Sequence, residues 1–134
     1  MVMSEEKYLE IKPEQLEKSK KLAEKISLIL DDKKAKQIKI IGTNKQTIIA
    51  DYFVVATGTS STHIRSLAGE VEFQLELQPS RVSGRDSNDW IILDYDSVLV
   101  HIFNSEARDY YKLEKLWGDG ESVNVEGILK LRGE

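Results

Sequence analysis

The spacing of apolar residues predicts a helix followed by two strands in the first part of the chain. From 12 to 32 the apolar residues recur every three or four positions, which indicates a helix with one apolar face directed at the core. The run 37–42 is typical of a strand. The run 51–57 is apolar and β-branched almost throughout, as expected for a strand that is buried on both faces.

A second helix is predicted where this apolar strand is interrupted by a glycine and several hydroxyl residues. Ser60 or Ser61 can cap the helix, and Pro79 is expected to end it, after a stripe that reaches towards Leu77. The predicted apolar stripe consists of Ile64, Leu67, Ala68, Val71, Phe73 and Leu75.

The rest of the chain is predicted to be mainly β, with one more helix. The runs 81–83, 90–95 and 98–103 have strand character, and the polar pair 96–97 joins the last two as a hairpin. A helix is then predicted over 105–117. The order α-β-β-α-β-β-β-α indicates an α/β fold, in a single small domain with a mixed β-sheet flanked by helices.

Length and composition narrow the class of protein. With 134 residues the chain is expected to form one domain, here 1–119, followed by a C-terminal tail over 120–134 that is extended or disordered. The absence of cysteine excludes disulfides, thiol nucleophiles and thiolate metal sites. No apolar run is long enough to span a bilayer, and the N-terminus lacks a secretory signal, so a cytoplasmic protein is expected.

The net charge of −4 argues against a generic binder of the nucleic-acid backbone. Between 86 and 121 nine acidic residues stand against three basic ones, a local balance of −6. This stretch is either a solvated acidic surface or a docking site for a basic partner.

Aromatic residues fall within the same acidic stretch. Trp90 opens a predicted strand directly after a polar segment, and Tyr110, Tyr111 and Trp117 lie on the last predicted helix. Tryptophan and tyrosine are favoured anchors of protein interfaces. The alternative is core packing, which fits Trp90 less well than Trp117 because Trp90 begins at a polar rim. His101, in an apolar strand, is either a hydrogen-bonded, half-buried residue or part of an interface.

Signals for catalysis are weak. The two histidines, His63 and His101, are far apart and have no short-range metal-ligand spacing, and there is no nucleophile elbow. The 58–61 turn before a helix is either a simple cap or an anion cradle. Combined with Asp94 and Asp96 as possible Mg²⁺ ligands, it suggests a nucleotide-binding or nucleotidyl-transfer site as an alternative function.

Four blocks in this order resemble the ribosomal silencing factor family (RsfS, or Iojap-like). They are 51–63 (DYFVVATGTSSTH), 89–95 (DWIILDY), 100–103 (VHIF) and 111–117 (YKLEKLW). The chain departs from the usual family pattern at Ser83-Gly84, where Glu-Gly is common, and at Asp96-Ser97, where Gly-Asp is common. Both departures lie beside the expected binding surface.

The resemblance implies a function as well as a fold. It implies a nucleotidyltransferase-like topology without enzymatic activity, cofactor or metal. It implies binding to the large ribosomal subunit through large-subunit ribosomal protein fourteen, a basic protein, and repression of translation by blocking the small subunit; the alternative is a large-subunit assembly factor. It also implies a homodimer when free. The binding residues it implies are Trp90, His101, Phe103, Tyr111 and Trp117.

Overall fold

The computed structural model describes residues 13–43, 50–113 and 122–123, in which runs of strands separate the helices. The three helices and six strands in this part of the chain are α1 (Pro13–Asp32), β1 (Lys36–Gly42), β2 (Tyr52–Gly58), α2 (Ser61–Leu75), β3 (Arg81–Ser83), β4 (Trp90–Asp94), β5 (Val98–Asn104), α3 (Ser105–Tyr111) and β6 (Ser122–Val123). They confirm the predicted order of elements up to α3.

The strands form one sheet in the order β3-β4-β5-β2-β1-β6. The central pair β2–β5 is parallel, and its seven residue pairs run from Tyr52↔Val98 to Gly58↔Asn104. All other neighbours are antiparallel. This confirms the predicted single small α/β domain with a mixed sheet flanked by helices. The nucleotidyltransferase-like topology stays a prediction.

The two faces of the sheet are covered differently. Side chains alternate between faces along a strand, so Val54 and Ala56 of β2 point into the main core, where the apolar faces of α1 and α2 pack. Phe53 and Val55 point into a smaller cluster on the opposite face, covered by Ala107 of α3 and by Leu113. All seven residues of β2 are buried, as its uninterrupted apolar run predicted.

Helix α2 begins as predicted but carries a shorter apolar stripe. The Ser60 side chain accepts a hydrogen bond from the backbone N–H of His63 and caps the helix, and Glu76, in the left-handed region, ends it. The prediction that Phe73 belongs to the buried stripe is wrong, because its side chain is 81% exposed. At 100° per residue, Phe73 lies about 200° around the helix from the buried Val71 and so faces solvent.

Helix α3 is shorter than the predicted helix over 105–117. Asn104 caps its start by accepting a hydrogen bond from the N–H of Ala107, and the helix ends at Tyr111. Lys112 turns into the left-handed region with a φ of 50°, and its N–H donates to the carbonyl of Arg108. The predicted positions 114–117, including Trp117, lie outside the described residues.

The β4–β5 hairpin has the predicted connection. Asp96 takes a φ of 66°, and its N–H donates to the carboxylate of Asp94, while the N–H of Tyr95 donates to the carbonyl of Val98. Aspartate tolerates this left-handed conformation better than most residues, which explains a turn without glycine. Within the predicted tail 120–134, the described residues form β6, which pairs with Ile40 and Ile41 of β1.

Candidate functional site

The register of the β4–β5 hairpin brings three of the predicted site residues together. Trp90 is paired with Phe103, and Ile92 with His101, so these side chains share one face of the sheet. The ring centroids of Trp90 and Phe103 are 4.7 Å apart and stacked, and those of Trp90 and His101 are 5.8 Å apart. We call this side of the sheet the aromatic face.

Helix α3 adds two tyrosines to the aromatic face. The ring centroid of Tyr111 lies 4.8 Å from that of Trp90, and Tyr110 meets Tyr111 edge-on at 5.0 Å. The helix is fixed to the sheet by the buried Arg108, whose guanidinium donates to the hydroxyl of Thr57 at 2.8 Å. Helix α3 thus brings Tyr111 against Trp90, with Tyr110 on the far side of this contact against Tyr111.

The predicted site residues lie at different depths. Phe103 is completely buried and His101 is 5% exposed, whereas Trp90 is partly buried and Tyr111 is 51% exposed. A partner that docks on this side would touch Trp90 and Tyr111, with Phe103 and His101 behind them. Tyr110, which the sequence placed on the same helix without assigning it to the site, is 80% exposed.

A hydrogen bond joins His101 to Trp90. The indole Nε1–H donates to His101 Nδ1 over 3.2 Å. Burial lowers the pKa of His101 to about 4 because the interior disfavours the charged imidazolium. The ring is therefore neutral near neutral pH, as an Nδ1 acceptor must be.

The loop before β4 fixes the backbone of Trp90. Gly84 has a φ of 74°, and a Cβ at this position would overlap the carbonyl oxygen of Trp90. The Ser87 hydroxyl accepts from the N–H groups of Asp89, at 3.0 Å, and Trp90, at 3.2 Å. Glycine at 84 thus allows the loop to approach the start of β4 closely.

Carboxylates border the exposed aromatics. A groove of about 320 Å³ is lined by Asp89, Glu106, Ala107, Tyr110 and Tyr111. Both carboxylate residues and both tyrosines in it are exposed. Tyrosine rings beside carboxylates can hold a lysine or arginine side chain through charge and cation–π attraction. Two of the nine acidic residues between 86 and 121 thus lie next to the exposed tyrosines.

The structure does not bring together the parts of the alternative nucleotidyl-transfer site. Gly58 pairs with Asn104 at one end of the parallel strands, whereas Asp94 pairs with Leu99, which lies beside Phe53 near the other end. Five residues of strand, about 16 Å, separate these positions. No group of three or more potential metal ligands occurs in the described ranges.

Thr59 and Ser60 of the 58–61 turn make local hydrogen bonds. His63 Nδ1 accepts from the N–H of Thr59 at 2.9 Å, and its Nε2 lies 2.9 Å from the carbonyl of Lys33. Because Nδ1 accepts, the proton lies on Nε2 and is donated to Lys33. Together with the Ser60 cap, these bonds give the turn a structural role. This is the first of the two alternatives that the sequence offered, a simple cap or an anion cradle.

Fold and site define a small α/β protein with an exposed patch of aromatic and acidic residues. Among its described helices, none has the length and apolar character needed to cross a membrane. The family model for "Ribosomal silencing factor during starvation" matches residues 16–133, a range that extends past residue 119. The chain therefore belongs to the ribosomal silencing factor family.

Individual relatives agree with this assignment. The ribosomal silencing factor RsfS of Halalkalibacterium halodurans is 34% identical over 103 residues, which cover 75% of this chain and 88% of that protein. The mouse protein named "Mitochondrial assembly of ribosomal large subunit protein 1" is 30% identical over 95 residues, covering 66% of this chain and 42% of that protein. A crystal structure of a Chromobacterium violaceum protein aligns with a TM-score of 0.69 and 32% identity, covering 81% of this chain and 90% of that one.

Proposed function

We propose that this protein represses translation by binding large-subunit ribosomal protein fourteen and so blocking the small subunit from joining the large one. The observation that supports this best is the contact of the partly buried Trp90 with the exposed Tyr111, which together with Tyr110 lines a groove bordered by carboxylates. This arrangement suits a basic protein partner. The family membership supports the ribosome as the place of binding.

The aromatic face has the anatomy of a binding hot spot. Trp90 is backed by the buried rings of Phe103 and His101, so its position is held before a partner arrives. A preorganised aromatic loses little conformational entropy on binding, and carboxylates at the rim speed association with a basic protein. The carboxylates of Asp89 and Glu106 are placed to do this.

The test is to remove the indole of Trp90. Trp90→Ala is expected to weaken binding to isolated large subunits by about 2 kcal/mol or more, roughly 30-fold, as measured by sedimentation or biosensor titration. Phe73→Ala is the matched control, because Phe73 is an exposed aromatic on α2, which packs on the other face of the sheet. Equal affinities of wild type and Trp90→Ala would contradict the proposed site.

A second candidate function is assembly of the large subunit, which the name of the mouse relative favours. Subunit-joining assays separate the two functions. Repression requires that the protein, added to mature large subunits, lowers the yield of joined ribosomes as small subunits are added. Binding to immature particles with unchanged joining would favour assembly.

The nucleotidyl-transfer alternative is tested separately. It requires that the protein bind a nucleotide in the presence of Mg²⁺, as measured by calorimetry, and that Asp94→Asn abolish this binding.

Two further properties stay predictions. They are a homodimer in the absence of ribosomes and a cytoplasmic location. Sedimentation equilibrium of the free protein, followed by titration with large subunits, measures the first property and shows whether the ribosome binds one copy or two.

A further inference from the structure

We infer that His101 is a positioning residue, which sets the orientation in which Trp90 presents its indole to a partner without touching that partner itself. The inference rests on the proposed function, because it concerns the same docking face. It gives His101 a role different from the direct contact that the resemblance implied.

Burial and hydrogen bonding separate His101 from the surface. Its side chain is 5% exposed and lies between the ring of Phe53, at 4.8 Å, and that of Trp90, at 5.8 Å. The one polar atom of the indole, Nε1, points inward at His101 Nδ1. The edge of the indole opposite Nε1 carries no polar atom and is directed away from His101, which makes Trp90 an apolar anchor.

The choice of histidine is hard to explain by packing alone. Because Nδ1 accepts from Trp90, the ring proton lies on Nε2, and this buried atom has no hydrogen-bond partner in the described part of the chain. An unpaired buried N–H destabilises the fold. The ring centroids of Phe53 and Phe103 lie 4.8 Å and 6.3 Å from that of His101, so a phenylalanine at position 101 would suit its aromatic surroundings. What it would lack is the acceptor for Trp90.

A double-mutant cycle tests this coupling. His101→Phe keeps a ring of similar size but removes the acceptor, and Trp90→Phe removes the donor. We expect His101→Phe to weaken large-subunit binding by about three- to tenfold, the range for losing one hydrogen bond. In the Trp90→Phe background the same change should alter affinity by less than about twofold. An equal effect of His101→Phe in both backgrounds would overturn the inference.

A spectroscopic measurement tests the positioning without the ribosome. The chain has two tryptophans, so the indole N–H signal of Trp90 is assigned by its loss in Trp90→Phe. In His101→Phe this signal should shift and its proton should exchange faster with solvent. His101→Asn should restore much of the wild-type signal, because the Asn oxygen lies as many bonds from Cα as Nδ1 does. An unshifted signal in His101→Phe would overturn the inference.

A packing control separates orientation from general stability. Phe53→Leu removes a ring in contact with His101 and leaves both hydrogen-bonding atoms in place. It should lower stability while the Trp90 signal and the large-subunit affinity stay close to wild type. If Phe53→Leu loses both the wild-type Trp90 signal and the large-subunit affinity, the role of His101 is structural only. If wild type fails to bind large subunits, the proposed function fails, and the indole signals still decide the role of His101.

Discussion

Acid should destabilise this protein through one buried histidine. His101 is 5% exposed, and its pKa falls from 6.5 to about 4 in the native state because burial disfavours the imidazolium. Below about pH 6.5 the unfolded chain binds a proton at this position and the native chain does not. Stability is therefore lost as the pH falls from about 6.5 to about 4, and this loss levels off below the native pKa.

The size of this loss of stability follows from the pKa shift of His101. A difference of one pKa unit corresponds to about 1.4 kcal/mol, so the free energy of unfolding should fall by about 2–3 kcal/mol between about pH 7 and about pH 4.5 because of His101 alone. Carboxylates also titrate over this range. Comparison with His101→Phe removes their contribution, because they are the same in both proteins.

Urea unfolding at the two pH values measures this difference. On acidification, the free energy of unfolding of the wild type should fall by about 2–3 kcal/mol more than that of His101→Phe. In an independent NMR titration, the ring protons of His101 should show a midpoint near pH 4. Parallel losses of stability in the two proteins, or a midpoint near the ordinary value of 6.5, would refute the argument that burial keeps this ring neutral.

Two backbone positions give further predictions. Gly84→Ala should destabilise the fold by about 1–3 kcal/mol and weaken large-subunit binding, because the left-handed φ and the overlap with the Trp90 carbonyl displace the start of β4. Urea unfolding and the binding titration measure the two effects. Gly69→Ala, where a Cβ meets open space, is the control and should keep wild-type affinity. Glu76→Gly should raise the free energy of unfolding by up to about 1 kcal/mol, because Glu76 caps α2 with a φ of 55°; thermal unfolding checks it, and no increase would show that the strain is relieved elsewhere.

Local patterns along the sequence were enough to predict most elements. The uninterrupted apolar run of β2 predicted a strand buried on both faces, and Ser60, one of the two residues predicted to cap α2, does cap it. Such features depend on residues a few positions apart. Phe73 is an exception, because it is apolar but its angle around α2 directs it to solvent.

Features that depend on the chain's path in space could not be predicted in this way. Lysine rarely adopts the left-handed region, so nothing in the sequence marks Lys112 as the end of α3. The separation of Gly58 from Asp94 follows from the direction of β4 in the sheet. The hydrogen bond between Trp90 and His101 depends on hairpin register, which a short polar turn indicates only coarsely.

The position of β5 between β2 and β4 also sets an order of events during synthesis. The antiparallel pairs β1–β2 and β3–β4 are both complete in sequence before residue 98, yet among the described strands only β5 hydrogen-bonds to both β2 and β4. Until residue 104 has left the exit tunnel, the apolar strand β2 has an open edge. A nascent chain interrupted before that residue would present this edge to other chains, which makes premature termination here a route to aggregation.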